Sequence, residues 1–146
     1  MHRMVWAGGP VADDAAPDAV ALGPAHATQA MELAALTRPG PFGPRTIELG
    51  EYFGCFRDGR LVAMAGERMN AGALREISGV CTHPEWQGQG LARRLMLKLL
   101  RRQLDRGETP FLHVMQANED AHRLYRRMGF RDHALVAVRV VSRQAG

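Results

Sequence analysis

The most constraining feature of the sequence is a glycine turn that joins an apolar strand to an amphipathic helix. The segment LREISGVCT predicts a strand over 74–82, and His83-Pro84 ends it. From Leu91 onward, apolar residues recur at helical spacing and cationic residues face away from them, which predicts a helix that Gly107 ends. A strand followed by such a helix indicates a layered fold in which helices pack on a sheet.

The turn between the strand and the helix, from Gln87 to Ala92, is suited to binding an anion. The first backbone N–H groups of a helix lack partners within it, the helix dipole adds partial positive charge, and glycines let phosphate oxygens approach closely. The sequence lacks the glycine–lysine pattern of ATP-binding loops. It also lacks the dinucleotide fingerprint, because Arg93 stands where a third glycine is required. The turn therefore predicts a pyrophosphate site outside these two classes.

The remaining segments predict more strands and two further helices. Asp58-Gly59 separates two apolar runs and predicts a hairpin. One helix is predicted over 23–36, and a second begins at its N-cap Asn118 and ends at Gly129. The segment 130–141 predicts one or two final strands. This order of elements indicates an α+β fold.

Length and composition indicate one intracellular domain. Residues 1–17 predict a loosely structured leader, although MVW could form a short strand there, and residues 18–146 form the predicted domain. No stretch approaches the roughly 20 apolar residues that span a bilayer, so no membrane partner is expected. Cys55 and Cys81 lie in strand-like stretches, which favours buried thiols in a cytoplasmic protein.

The charge of the chain points to an anionic ligand. The formal net charge of +4 favours such a ligand, but aromatic residues total only 6% and do not alternate with cations on any strand, so nucleic acid is not an expected partner. The six histidines do not show the spacing of a metal site, so no metal is predicted.

The motif Gln87-x-x-Gly90-x-Ala92 resembles the pyrophosphate-binding signature of the GNAT superfamily of acyl-CoA N-acyltransferases. The strand before it fits the superfamily, and so does the helix that leads from Asn118 through Tyr125 to Met128-Gly129-Phe130. The resemblance covers about residues 48–141. It implies a central mixed, mostly antiparallel β-sheet flanked by helices, with a splayed pair of strands that holds the pantetheine arm of acetyl-CoA. Gly79 would form the bulge at which these strands part.

The resemblance also implies roles for particular residues. Tyr125 would protonate the departing thiolate. Glu76 would be the general base for the amine, with Glu67 and His113 as alternatives. A backbone N–H near Val80 would polarise the thioester carbonyl. The expected cofactor-binding residues are Val80, Cys81, Thr82, Gln87, Gly88, Gln89, Gly90, Leu91, Ala92 and Asn118.

The predicted function is transfer of an acetyl group from acetyl-CoA to a primary amine by direct attack in a ternary complex. Cys81 is expected to be buried and not to act as a nucleophile. The acceptor is a small molecule or a peptide whose identity the sequence does not specify, and the loop from Thr37 to Arg45 would help to form its pocket. A non-catalytic acyl-CoA-binding module is the alternative function, and a homodimer is compatible with the sequence.

Overall fold

A computed structural model describes residues 1–133 and gives the bounds of the strands and helices. The strands are β1 (His2–Trp6), β2 (Val20–Ala21), β3 (Tyr52–Arg57), β4 (Arg60–Ala71), β5 (Leu74–Thr82), β6 (Thr109–Val114) and β7 (Phe130–Asp132). The helices are α1 (Ala27–Thr37), α2 (Leu91–Asp105) and α3 (Glu119–Met128). Short 3-10 turns span Pro24–His26, Thr46–Glu48 and Pro84–Trp86. The part of the predicted final strands that follows residue 133 lies outside the described residues.

The strands form one sheet in the order β2-β3-β4-β5-β6-β1-β7. Every neighbouring pair is antiparallel except β5 and β6, which run parallel because α2 carries the chain back across the sheet between them. The predicted α+β class and the mixed, mostly antiparallel sheet are therefore confirmed.

The β3–β4 hairpin forms where the sequence predicts it. Asp58 and Gly59 adopt φ values of 54° and 76°, and two successive left-handed residues are what a two-residue turn of the favoured twist requires. Asparagine, aspartate and glycine tolerate this conformation best, so the Asp-Gly pair fixes the turn and the pairing of Arg57 with Arg60 beside it.

The helices pack on both faces of the sheet. Tyr52 and Met64 pack with the buried side of α1, whereas Phe53 and Ala65 pack with the leucine stripe of α2. Successive residues of a strand point to opposite faces, so α1 and α2 lie on opposite sides. Apolar side chains of α3 pack against the same apolar cluster that holds the leucine stripe of α2.

The structure differs from the expected loose leader at its first residues. β1 lies between β6 and β7, with Met4 paired to Leu112 on one side and to Asp132 on the other, and the Met4 side chain is fully buried. The short MVW run therefore belongs to the sheet. Its partners are about a hundred residues away, so local composition could not reveal them.

Within residues 1–133, no helix has both the length and the apolar character needed to cross a membrane.

Gly66 is a position where the sheet cannot accept a side chain. A Cβ placed there would lie 2.2 Å from the ring of Tyr52. We expect Gly66→Ala to lower the free energy of unfolding by about 1–3 kcal/mol, because the buried ring must shift. Urea unfolding checks this, with Gly9→Ala as the control, since a Cβ at Gly9 meets no atom within 4 Å. Equal unfolding midpoints for the two variants would contradict the packing described.

Candidate active site

The site is built where two parallel strands separate. β5 and β6 pair at three positions, of which Glu76 with Phe111 is the last, although β5 continues to Thr82 and β6 to Val114. Beyond that pair, the facing edges of the two strands carry backbone N–H and C=O groups that no neighbouring strand covers in the described part of the chain. Such groups need partners, so the gap can receive an extended polar chain.

A bulge bends β5 at the mouth of this gap. Met64 pairs with Cys81 and Gly66 pairs with Ser78, so two residues, Gly79 and Val80, oppose one residue of β4. Gly79 has φ +65°, and a left-handed glycine is typical of this kind of bulge. The bulge predicted at Gly79 is therefore present, and it bends β5 within the stretch that has parted from β6.

The gap opens into a cavity of about 420 Å³. Four of the residues predicted for the site line it, namely Glu76, Val80, Asn118 and Tyr125. Residues 38–41, which belong to the loop predicted to help form the acceptor pocket, also line the cavity. Val80 stands on one wall and α3 on another, so the structure brings the predicted thioester-polarising group and the predicted proton donor to one space.

Glu76 is held by two side chains at the end of this cavity. Its carboxylate accepts two hydrogen bonds from Arg68, both of 3.1 Å, and lies 2.8 Å from Nδ1 of His113. Only 2% of its side chain is exposed. The carboxylate thus has protein donors on both oxygens, and Arg68, Glu76 and His113 all line the cavity.

The two ring nitrogens of His113 contact different side chains, Nδ1 that of Glu76 and Nε2 that of Arg3. Because Nδ1 lies beside the Glu76 carboxylate, the hydrogen of the neutral ring belongs on Nδ1, and Nε2 is left as the acceptor. Nε2 accepts a bond of 3.3 Å from Nε of Arg3, which is consistent with this tautomer. The side chain of His113 is 22% exposed and lines the cavity.

Tyr125 contributes a protonated hydroxyl to the site. Its ring packs edge-on to Phe130, with the ring centroids 6.1 Å apart, and burial raises the pKa of Tyr125 to about 12. A phenol with this pKa keeps its proton throughout the neutral range, so it can donate but does not act as a base there.

The glycine turn has the geometry of an anion cradle. Gly88 and Gly90 have φ values of +81° and +74°, and a Cβ at either position would meet no atom within 4 Å. No side chain caps the start of α2. Arg94 bonds the carbonyl groups of Gln89 and Gly90, which places its guanidinium beside the turn.

The other predicted cofactor residues lie around this turn and not in the cavity. Gln87 donates to the backbone carbonyl of Thr82 at 3.3 Å and so ties the turn to the end of β5. Leu91 is buried in the core and Ala92 is half-buried on α2. Within the described residues, the turn itself does not line the cavity.

Asn118 acts as the N-cap of α3, as its sequence position predicts. Its side-chain oxygen accepts a bond of 3.2 Å from the N–H of Ala121. This bond satisfies one of the free donors at the helix start and fixes the direction in which α3 presents Tyr125 to the cavity.

Cys81 is buried beneath the site. It packs in the same apolar cluster as Leu33 of α1 and Met64 of β4. Burial raises the pKa of the Cys81 thiol to about 11. The thiol is therefore protonated near neutral pH, which fits its expected role as a buried residue that is not a nucleophile.

Arg68 is a site residue that the sequence reasoning missed. It lies eight positions before Glu76 and reaches it across the β4–β5 hairpin. The hairpin turn at Gly72 would have placed the two residues near one another. The irregular register between Glu67 and Asn70 hides the pairing from a simple count.

A second group of titratable side chains lies outside the cavity. His2 stacks on His122 with ring centroids 4.2 Å apart, and His122 Nε2 lies 2.7 Å from a carboxylate oxygen of Asp132. Ligand atoms of these three residues lie within 4.8 Å of one another. Asp132 also forms an ion pair with Arg126, so stacking, a hydrogen bond and this ion pair account for the arrangement.

Comparisons with known proteins bear on this site. A family model described as "Acetyltransferase (GNAT) family" matches residues 27–130. A structure from Novosphingobium aromaticivorans that is assigned to the GNAT family shares 46% identity over 90% of this chain, with a TM-score of 0.84. The present chain spans 59% of the length of that structure. A comparison with curated proteins finds no match.

More distant structures share the fold. The ribosomal-protein-S18-alanine N-acetyltransferase from Escherichia coli is 23% identical over 79% of this chain and 77% of its own, with a TM-score of 0.69. Rv2747 from Mycobacterium tuberculosis, solved in complex with CoA and NLQ, is 15% identical over 73% of this chain and 70% of its own, with a TM-score of 0.60. At these identities the likeness concerns the fold alone.

The burial of Cys81 leads to a prediction about thiol reactivity. In a Cys55→Ser variant, Cys81 is the only thiol. We expect iodoacetamide to modify it at pH 8 roughly 100-fold more slowly than in the urea-unfolded chain, because the thiolate is the reactive form and a raised pKa makes it scarce. Mass spectrometry of timed samples measures the rate. Equal rates in the folded and unfolded chain would show that the thiol is exposed.

Proposed function

We propose, from the membership of this chain in the GNAT acetyltransferase family, that it transfers an acetyl group from acetyl-CoA to a primary amine. The observation that carries the proposal is the cavity between β5 and β6, which Val80, Tyr125 and the Glu76–His113 pair all line. Direct attack in a ternary complex suits this arrangement, because the buried Cys81 thiol is not available to form an acyl-enzyme.

The residues present fit coenzyme A at two places. The open turn of Gly88 and Gly90, with the start of α2 behind it and Arg94 beside it, would hold the pyrophosphate. The uncovered edge of β5 at Val80 would pair with the amide groups of the pantetheine arm, like an additional strand. When bound, acetyl-CoA supplies an activated acyl group as a thioester.

Val80 and Tyr125 would act on the two ends of the bond that breaks. A backbone N–H at the Gly79–Val80 bulge would donate to the carbonyl oxygen as negative charge develops there. Tyr125 would give its hydroxyl proton to the departing sulfur, since burial keeps the hydroxyl protonated.

Glu76 supplies the negative charge on the acceptor side of the cavity. An attacking amine must lose a proton. The group that accepts this proton gains positive charge, which a nearby anion stabilises. Glu76 is a carboxylate at the cavity wall, and Arg68 fixes its position with two hydrogen bonds. We propose that it is the anion of the proton-accepting step.

The acceptor would enter beside the loop 38–41, which lines the same cavity. Pro39 and Pro41 restrict this loop, and Arg38 is held in the left-handed conformation by an N–H bond of 2.7 Å to Ala34. A small amine or the end of a peptide chain fits a space of this size. Screening of amines as acceptors would identify the acceptor.

A binding measurement tests the cofactor site first. Calorimetric titration should show saturable binding of acetyl-CoA and none of ATP or NAD. We expect Gly90→Asp to abolish this binding, because a carboxylate would occupy the phosphate position. Gly107→Asp is the matched control, since Gly107 is also left-handed and open but lies after α2. If wild-type protein fails to bind acetyl-CoA, the proposed function is wrong.

The role of Tyr125 separates an enzyme from a non-catalytic acyl-CoA-binding module. We expect Tyr125→Phe to lower kcat by about 100-fold, with the Kd for acetyl-CoA within about twofold of wild type, because only the proton donor is lost. Thiol release measured with a chromogenic disulfide gives kcat, and calorimetry gives the Kd. Unchanged turnover would remove Tyr125 as the donor.

A further inference from the structure

We infer that a second cavity, between α1, the start of β4 and the residue after β5, binds a small zwitterion with the chemistry of an apolar α-amino acid. Such a ligand carries a carboxylate, an ammonium group and a short apolar chain. The inference does not depend on the proposed acyltransferase function. Three observations carry it: a shortage of hydrogen-bond acceptors around His83, the charges of the lining residues, and a leucine that the fold leaves exposed.

The cavity is small and separate from the active site. Its volume is about 240 Å³, and among the described residues it shares no lining residue with the active-site cavity. α1 supplies one wall, and Arg60, Leu61 and His83 supply the other. At about 30 Å³ for each water-sized group, the space holds roughly eight non-hydrogen atoms. The ligand is therefore much smaller than coenzyme A or a nucleotide.

His83 is a buried ring with one acceptor nitrogen and two donors around it. Its side chain is only 10% exposed. Nδ1 accepts a bond of 3.1 Å from the N–H of Glu85, so the neutral ring carries its hydrogen on Nε2. Nη2 of Arg60 lies 3.4 Å from this Nε2, and two N–H donors cannot bond one another. Within residues 1–133, Nε2 of His83 therefore faces a donor and has no acceptor.

A carboxylate would satisfy both of these donors. Buried polar groups are nearly always hydrogen-bonded, so the Nε2–H of His83 needs an acceptor. The side chain of Arg60 makes no other hydrogen bond or ion pair with the described residues. Gln29 lines the same cavity and uses its Oε1 to accept the N–H of Leu61, which leaves its amide N–H groups free of described acceptors. The two oxygens of a carboxylate suit such a set of donors, and the bond from a guanidinium is charge-assisted.

Glu32 makes the cavity unsuited to a simple anion. It lies on α1, lines the same space and forms no ion pair with any described residue. A carboxylate bound alone would add a second negative charge beside it. An ammonium group on the same ligand would pair with Glu32 while the carboxylate meets Arg60. The cavity and the ligand would then each carry one charge of either sign, which is electrostatic complementarity.

The remaining part of the wall is apolar and indicates the rest of the ligand. Leu33 and Leu61 are buried, but Leu36 is 53% exposed although it lines the cavity. A short branched chain placed over Leu36 would remove apolar surface from water. Charge, apolar contact and volume together fit an amino acid such as valine.

NMR titration with L-valine tests the site on the unaltered protein. We expect the backbone amides of Leu61 and Glu85 to shift and to saturate, because these N–H groups bond two side chains that line the cavity, Gln29 and His83. The amide of Val80, which lines the active-site cavity, should stay in place.

Two outcomes of this titration would overturn the inference. Absence of a saturable shift at Leu61 and Glu85 would show that water alone serves the donors of the cavity. Shifts at Val80 without shifts at these two amides would show that valine occupies the active site instead.

Analogues of valine assign the groups of the ligand one at a time. L-valinamide lacks the carboxylate and should bind about tenfold more weakly than L-valine, because the charge-assisted bonds are lost. Isovalerate lacks the ammonium group and should bind about threefold more weakly, since the ion pair with the exposed Glu32 is worth less. Isovalerate or inorganic phosphate that binds as tightly as L-valine would make this a simple anion site and overturn the assignment.

Two arginines of the β3–β4 hairpin give a matched pair of variants. We expect Arg60→Gln to weaken L-valine binding about tenfold and to remove the preference for L-valine over L-valinamide. Arg57→Gln is the control and should bind L-valine within about twofold of wild type, because Arg57 pairs with Arg60 and is also exposed but does not line the cavity. Glu32→Gln should remove the preference for L-valine over isovalerate. Equal losses in Arg57→Gln and Arg60→Gln would reduce the effect to general surface charge and overturn the inference.

Discussion

The parting of β5 from β6 after the Glu76–Phe111 pair is the constraint on which the site depends. Two strands can separate in the middle of a sheet only if each keeps a partner on its other side, because unpaired buried backbone groups are costly. β5 keeps β4, and β6 keeps β1, whose pairing extends to Val114, beyond the point of separation. The first strand of the chain therefore supports the far wall of the cavity.

The near wall depends on a close approach between one aromatic ring and the sheet. The Tyr52 ring lies where a Cβ of Gly66 would stand, and its hydroxyl lies 2.9 Å from the Cβ position of Gly79. Glycine at both positions lets the ring lie beneath β4 and β5 where the bulge forms. The Tyr52 hydroxyl is buried without a hydrogen-bond partner in residues 1–133, and burial raises its pKa, so it remains a neutral support.

Local signals predicted the parts of the structure that local chemistry determines. Asp58-Gly59 set the hairpin, Asn118 capped α3, and the leucine stripe gave α2. The short strand that MVW could form had no predictable partners, because its pairing joins residues 110 apart, such as Arg3 and His113. The enclosure of Glu76 was missed because the irregular register between Glu67 and Asn70 hides the contact with Arg68, and sequence does not show which side chains meet across a sheet.

The two buried glutamates of the β4–β5 hairpin show why burial alone does not identify a catalytic group. The side chains of Glu67 and Glu76 are each 2% exposed, and the sequence offered both as bases. Glu67 accepts bonds from the N–H of Glu51, from Gln103 and from Arg106, all of which belong to the protein scaffold away from the cavity. Glu76 is equally well satisfied, by Arg68 and His113, but among the described residues it lines the cavity and Glu67 does not. Two glutamates of equal burial therefore differ in what lies beside them, and only the one at the cavity wall is placed near the space that an acceptor could enter.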